Sequence, residues 1–349
     1  MDTGPQGSVT ALGAHGQIRG ADVKMGVESS PAVEPVGGPS RGPFVAGAPI
    51  SWGICEVPGW GPMLPAERVL SEMHELGLSG TELGAPGFLP DEPDAVRAAV
   101  SAHGLTLVGA FVPLVLWSAD ADDSATALAQ ADLAAAKLAA GAGANPALPP
   151  PALNVALVED LDWSRPHELS DDEWALVGAN LTEVERICAT HRVTMALHPH
   201  FDTLLERDDQ IQRALVSFDP VGWCLDTGHL TIAGTDPAAF ARVHGRRVSH
   251  AHLKDVDATL ARRLAAREMT LLEATKKGLF RPLGEGDVNV AGTLAQLRAH
   301  GYAGWLVLEQ DTSLTGDEPP VSVMGPMGDV RTSIAFMENL AQQGEEKVI

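Results

Sequence analysis

Residues 221–255 read VGWCLDTGHLTIAGTDPAAFARVHGRRVSHAHLKD and contain a whole strand–helix–strand unit. The apolar run 221–225 is short enough for a buried strand and too short for a helix. The stretch 237–244 reads as a helix and 248–252 as a second strand. Ionisable side chains follow each strand at once: Asp226 and His229 after the first, then His252, Lys254 and Asp255 at the end of the second. A strand that ends in chemistry, repeated, is the pattern of a parallel α/β fold whose functional face gathers the strand C-termini.

The same rhythm extends in both directions. Upstream, strands are expected at 48–53, 79–83, 105–112, 154–157 and 193–197. Helices are expected at 65–76, 93–103, about 124–140, 171–190 and 208–216. In the first of these helices Val69, Leu70, Met73 and Leu76 share one face. Residues 145–151 form a Pro-rich connection. Downstream, a helical insertion is expected at 258–277, helices at 290–300 and 330–342, and a strand at 305–308. Eight strands alternating with helices predict an α/β protein built as a closed (β/α)8 TIM barrel over residues 44–343. The competing arrangement is an open doubly wound sheet. No G-x-G-x-x-G turn, P-loop or G-x-S-x-G elbow is present to support it.

Residues 1–43 are rich in Gly, Pro, Ser and Val and have no sustained period, so they read as a disordered leader. Residues 344–349 read as a C-terminal tail. The balance of 46 acidic against 24 basic residues, a formal charge of -22, argues against nucleic acid and anionic membrane as partners. No run approaches the roughly 20 apolar residues that span a bilayer. The N-terminus lacks the order of a secretory signal. The three cysteines, Cys55, Cys188 and Cys224, show no zinc or disulfide spacing. A cytoplasmic, reduced protein is the expectation.

The remaining strand ends carry more chemistry. His198 and His200 follow the strand ending at 197. Glu309, Gln310 and Asp311 close the last strand, and Glu82 ends the second. In a barrel these side chains converge on one face. A lone His there is usually a hydrogen-bonded structural group, and a lone Asp or Glu often caps the next helix. Four such residues on neighbouring strand ends, His198, Asp226, His252 and Glu309, point instead to a divalent metal held by two imidazoles and two carboxylates. Trp52 is open to two readings, an apolar wall for a substrate ring or core packing. Lys254 is open to binding a substrate oxygen or pairing with Asp255. His250 shares a strand face with His252, where a packed core role is the simpler reading. His15, His74, His103, His167, His191, His244 and His300 have no partners in the sequence pattern and are expected at the surface.

Four stretches resemble the xylose-isomerase-like superfamily of sugar isomerases and epimerases, all TIM barrels. Val221-Gly-Trp-Cys-Leu-Asp-Thr-Gly-His229 is similar to its sixth strand and Ser249-His-Ala-His-Leu-Lys-Asp255 to its seventh. Phe280-Arg-Pro-Leu-Gly-Glu-Gly-Asp287 and Gly304-Trp-Leu-Val-Leu-Glu-Gln-Asp311 look like its closing segments. The resemblance covers about residues 45 to 342. Ala48-Pro-Ile-Ser-Trp-Gly53 and Leu197-His-Pro-His-Phe-Asp-Thr203 look most like the inosose dehydratase branch.

The resemblance implies Asp226, His252 and Glu309 as metal ligands. The fourth ligand is a Glu in many members; here His198 takes that position, with His200 close behind. Epimerases of the group pair two metal-bound glutamates as acid and base, and this chain keeps only Glu309. A lyase acting on a keto-inositol is therefore the expectation, with a ketose isomerase or epimerase on a free sugar or inosose as the alternative. The resemblance implies Mn or Co as the preferred ion, with Zn or Mg acceptable, polarising the substrate carbonyl and supporting an enediolate. Glu309 or a nearby His would take the α-proton, and His200, His229 or Lys254 would protonate the departing hydroxyl. Trp52, Glu82, His229 and Lys254 are the expected substrate contacts, and the partner is a small polyol or keto-sugar. Self-association into a homo-oligomer is compatible with this reading. A phosphorylated substrate is disfavoured, because the late loops offer little cationic grip beyond Lys254 and Arg281. A barrel endonuclease is opposed by the charge. A non-catalytic scaffold remains a competitor that metal analysis would expose.

Overall fold

The computed structural model describes Met1 and residues 44–55, 57–314 and 325–346. The leader expected at 1–43 therefore lies, apart from Met1, outside the described residues. In chain order the barrel strands are β1 Phe44–Gly47, β2 Gly80–Glu82, β3 Thr106–Leu114, β4 Ala152–Leu157, β5 Thr194–Leu197, β6 Trp223–Asp226 and β7 Val248–Leu253. A short antiparallel pair follows, β8 Asp255–Val256 with β9 Phe280–Arg281, and β10 Trp305–Leu308 completes the barrel. Between them lie α1 Ala66–Glu75, α2 Pro93–Ala102, α3 Ala121–Ala142, α4 Asp171–His191, α5 Asp208–Ser217, α6 Thr227–Ala233 and α7 Pro237–His244. Helices α8 Ala258–Ala265 and α9 Leu271–Lys276 sit inside the β8–β9 excursion, followed by α10 Val290–Ala299 and α11 Gly325–Glu346.

The strands pair in the order β1–β10–β7–β6–β5–β4–β3–β2, and β2 pairs back to β1. Because β1 has parallel partners on both sides, the sheet has no free edge and the open-sheet alternative is excluded. The helices cover the outside. On α1, Val69, Leu70 and Met73 are buried as the periodicity requires, each contributing about 1.5–3 kcal/mol by leaving water. Helix α4 starts in a reciprocal cap: the Glu173 amide donates to Ser170 Oγ, and the Ser170 amide donates to Glu173 Oε2. No helix among the described residues is long and apolar enough to cross a membrane.

Four local expectations change. The first strand is 44–47 rather than 48–53; residues Pro49–Trp52 form a 3-10 turn that ends at Gly53, where φ is 75°. Pro49 has no amide hydrogen to donate to a neighbouring strand, so the ladder stops before it. The expected helix at 258–277 is two helices, broken near Arg267, whose φ is 59°. Helix α6 directly after β6 was not foreseen. Helix α11 continues to Glu346, past the expected end at 342, so the tail assigned to 344–349 begins within a helix and ends outside the described residues.

The β8–β9 excursion is fastened above the barrel. Val256, Ala261, Leu264, Ala274, Leu279 and Phe280 form their own apolar cluster with Phe201 and Ile232. Arg267 ion-pairs with Asp202 and Glu206 of the segment after β5 and lies 4.2 Å over the Phe201 ring. Asp255 anchors the turn before α10 by accepting hydrogen bonds from the amides of Gly284, Gly286 and Val288.

Candidate metal centre

His198 directly follows β5, Asp226 ends β6, His252 lies within β7 and Glu309 follows β10. These four strands are consecutive around the barrel, so the side chains form an arc along one wall of its mouth. His252 Nδ1 is 2.8 Å from Glu309 Oε2 and 3.6 Å from Asp226 Oδ2. His198 Nε2 is 3.6 Å from the same Asp226 oxygen. Asp226 divides its work: Oδ1 accepts from the His229 amide at 2.8 Å and caps α6, while Oδ2 faces the other three side chains.

Several of these inward atoms have nothing to bond. Both ring nitrogens of His198 and Oδ2 of Asp226 are buried without a hydrogen-bond partner, and His252 Nδ1 has only carboxylates beside it. Each unpaired buried polar atom costs on the order of 1–3 kcal/mol, and here they face one another. Candidate ligand atoms of Asp226, His252 and Glu309 all lie within 4.8 Å of each other. Two imidazoles and two carboxylates are donors that suit a divalent transition metal, so the residues fit such an ion. His200 points elsewhere: its Nδ1 is 2.6 Å from the Phe201 carbonyl oxygen, to which it donates.

Lys254 adds an ammonium to the site and is fully buried. Its Nζ lies 2.7 Å from Glu309 Oε1, 2.8 Å from Asp311 Oδ1, 3.5 Å from Asp226 Oδ2 and 3.2 Å from His229 Nε2. Its stem passes over Gly228, where an added Cβ would come within 2.7 Å of Lys254 Cγ, so only glycine leaves room. Burial disfavours the ammonium, but Asp226, Asp311 and Glu309 outweigh it and hold the pKa well above 10.5. Burial likewise opposes the charge on Glu309, yet His252 and Lys254 bring it down to about 2. Burial pushes Asp311 up to about 6 in spite of the neighbouring Lys254.

The imidazoles separate into two classes. Burial opposes charge on His198 and His252, but Cys224 and the carboxylates around them prevail: His198 rises to about 9 and His252 goes well above 6.5. Burial, the neighbouring imidazoles and Lys254 keep His200 and His229 neutral, with His200 down to about 3. The rings of His200 and His229 lie 3.8 Å apart. Phe111 of β3 closes the same side, 5.2 Å from His200 and stacked at 6.1 Å on Trp163.

The structure thus brings His198, Asp226, His252, Glu309, Lys254, His229 and His200 together. Trp52 is not among them: it is fully buried in the core, and its Nε1 donates to Glu72 Oε2 of α1 at 2.7 Å. The wall reading of Trp52 gives way to core packing, because the 3-10 turn directs the indole outward against α1. Glu82 is near the cluster but beneath it, its Oε1 accepting from His250 at 2.9 Å, His252 at 3.0 Å and Asn154 at 3.1 Å. That oxygen is occupied by three protein donors. Lys254 pairs with Glu309 and Asp311 rather than Asp255. Asp311 received no role from the sequence; its place two residues after Glu309 was the available signal. Nor are the surface histidines without company: His103, His167 and His191 pair with Glu67, Glu159 and Asp132, and His300 with the Arg242 carbonyl.

A family model for the xylose isomerase-like TIM barrel matches residues 56–340. The chain is 30% identical over 272 residues to the rhizopine catabolism protein MocC of Rhizobium meliloti, covering 75% of this chain and 80% of that protein. It is 28% identical over 271 residues to inosose dehydratase of Geobacillus thermodenitrificans (strain NG80-2), covering 76% and 88%. A solved structure of the IOLI protein with a bound zinc atom superposes with a TM-score of 0.59 and 14% identity, over 86% of this chain and 98% of that one. At that identity the likeness speaks for the fold alone.

Proposed function

Since the chain belongs to the xylose isomerase-like TIM barrel family, we propose that it is a divalent-metal-dependent lyase removing water from a cyclic polyhydroxylated ketone of the inosose type. The observation that carries this reading is His198 at the end of β5. A paired-glutamate epimerase needs a second carboxylate there; this chain offers imidazole, which leaves Glu309 as the base opposite Lys254. The name inosose dehydratase, borne by a relative at 28% identity, supports the same reading. The mixed nitrogen and oxygen donors favour manganese or cobalt, with zinc or magnesium acceptable.

His198, Asp226, His252 and Glu309 would hold the ion, which when bound would supply Lewis acidity toward a carbonyl oxygen and so acidify the adjacent C–H. Glu309, ionised at neutral pH, accepts the α-proton. Lys254, whose Nζ is 2.7 Å from Glu309 Oε1, spans to the neighbouring carbon and donates a proton to its hydroxyl. The C–H and C–O bonds break, a C=C bond forms, and hydroxide plus the donated proton leave as water. The resulting enol relaxes to a diketone. Each positioned acid or base is worth about 10²–10⁴-fold. Neutral His200 holds a substrate hydroxyl, while His229 braces the site, its Nδ1 accepting from the Phe201 amide and its Nε2 lying 3.2 Å from Lys254 Nζ. Phe111 and Trp163 give the ring an apolar side.

The test is incubation of metal-loaded protein with a panel of inososes and ketoses in D2O, followed by NMR. Loss of water from an inosose is the expected result. Deuterium at an inverted carbon, with no water lost, would replace the lyase by an epimerase. No turnover by protein carrying stoichiometric metal would reject both.

A further inference from the structure

Beneath the metal-binding arc lies a second layer of polar groups. Glu82 at the end of β2 is buried, and its Oε1 is shared by His250 Nε2 at 2.9 Å, His252 Nε2 at 3.0 Å and Asn154 Nδ2 at 3.1 Å. These partners come from β7 and β4, across the barrel interior from β2. The backbone makes room for this arrangement. The β2–β3 register shifts between Thr81 and Glu82, which sets Glu82 against Gly109. A Cβ on Gly109 would stand 2.2 Å from Glu82 Oε1 and 3.0 Å from His250 Nε2. Gly109 therefore clears the volume that the carboxylate fills.

The consequence falls on His252. An imidazole has two nitrogens, and a hydrogen bond made by one fixes the tautomer and direction of the other. Here Nε2 is turned down to Glu82, and Nδ1 is turned up to Glu309 and Asp226. Nδ1 is buried and faces these two carboxylates, themselves candidate ligands. Glu82 could itself form a ligand set with His250 and His252, but its Oε1 is already satisfied by three donors. We propose that Glu82, seated by Gly109, is a positioning residue: it holds His252 as the Nε2–H tautomer so that Nδ1 is the metal ligand. This rests on the metal centre proposed above. Outer carboxylates of this type orient a ligating imidazole and raise its basicity. Glu82 thus governs metal affinity through His252, without touching substrate.

The experiment compares wild type, Glu82→Gln, Gly109→Ala and Asp226→Asn by titration with Mn2+ alone, with thermal unfolding of each metal-free protein alongside. In addition, the imidazole nitrogens of His252 are read by 15N NMR in the zinc-loaded wild type, which needs no variant to fold. Glu82→Gln and Gly109→Ala should each weaken Mn2+ binding by about 10–100-fold. For Glu82→Gln the metal-free melting temperature should stay near that of wild type, because volume and most hydrogen bonds are kept. The NMR spectrum should show a protonated Nε2 and a metal-bound Nδ1. Wild-type Mn2+ affinity in Glu82→Gln, together with lost affinity in Asp226→Asn, would overturn the role of Glu82 and leave the metal centre standing. So would a metal-bound Nε2. Unchanged affinity in Asp226→Asn as well would overturn the metal centre itself.

Discussion

Replacing Lys254 by Met removes one positive charge from a fully buried place while keeping a stem of similar length. Its Nζ is 2.7, 2.8 and 3.5 Å from carboxylate oxygens of Glu309, Asp311 and Asp226. At an effective dielectric of about 20 these attractions are each about 5–6 kcal/mol. Burying the ammonium takes back several kcal/mol, and removing one partner of a buried pair costs about 3–5 kcal/mol in practice. That is a large share of a typical domain stability of about 5–15 kcal/mol. The pH sign follows from the pKa. Lys254 lies above 10.5 in the folded protein, so its contribution is complete below pH 10.5 and lost only as pH rises through the folded value. In the variant, Glu309, Asp311 and Asp226 lose the ammonium they share and keep only the imidazoles of His198 and His252 nearby, so their folded pKa values rise. Protonation then relieves the repulsion at low pH, and the variant loses stability as pH increases from about 5 to 8. The assay is urea unfolding of metal-free protein at pH 5.5 and 8, with and without Mn2+. A cost of about 3–5 kcal/mol is expected at pH 8 and less than half of it at pH 5.5. Mn2+ should restore more stability to the variant than it adds to wild type. An equal cost at both pH values, or no greater rescue by Mn2+, would refute the charge-balance reasoning.

Asp226→Asn should fold with its α6 cap intact yet lose Mn2+ binding and turnover together, whereas Asp226→Ala should lose a further ~1 kcal/mol with the cap; calorimetric titration and unfolding separate the two roles. Because His198 is protonated up to about pH 9 and His252 is raised as well, metal binding at pH 7 must displace protons. Mn2+ affinity should therefore rise with pH between 6 and 8, and titrations in buffers of different ionisation enthalpy should register proton release; a flat affinity would contradict the assigned ligands. Trp52→Phe removes the bond to Glu72 and part of a packed ring, so stability should fall by about 1–2 kcal/mol with kcat/KM unchanged. A selective rise in KM would return Trp52 to the substrate site.

Sequence alone determined the parts of this protein that depend on local pattern. Helix α7 and strand β10 fall where periodicity and apolar runs place them, at Pro237–His244 and Trp305–Leu308. The alternation of strands and helices implied that His198, Asp226, His252 and Glu309 would converge, since a barrel brings all strand C-termini to one face. Tertiary structure decided what each side chain meets there. Glu82 and the two β7 histidines it binds are 168 and 170 positions apart in the chain, and no local period encodes that distance. The partners of Lys254 were hidden for the same reason, since Asp255 is its neighbour in sequence while Glu309 and Asp311 are its neighbours in space. Asp226 shows the division within one residue. Its place after an apolar strand was legible, but its two oxygens serve different masters only once α6 starts beside it and β5, β7 and β10 close around it.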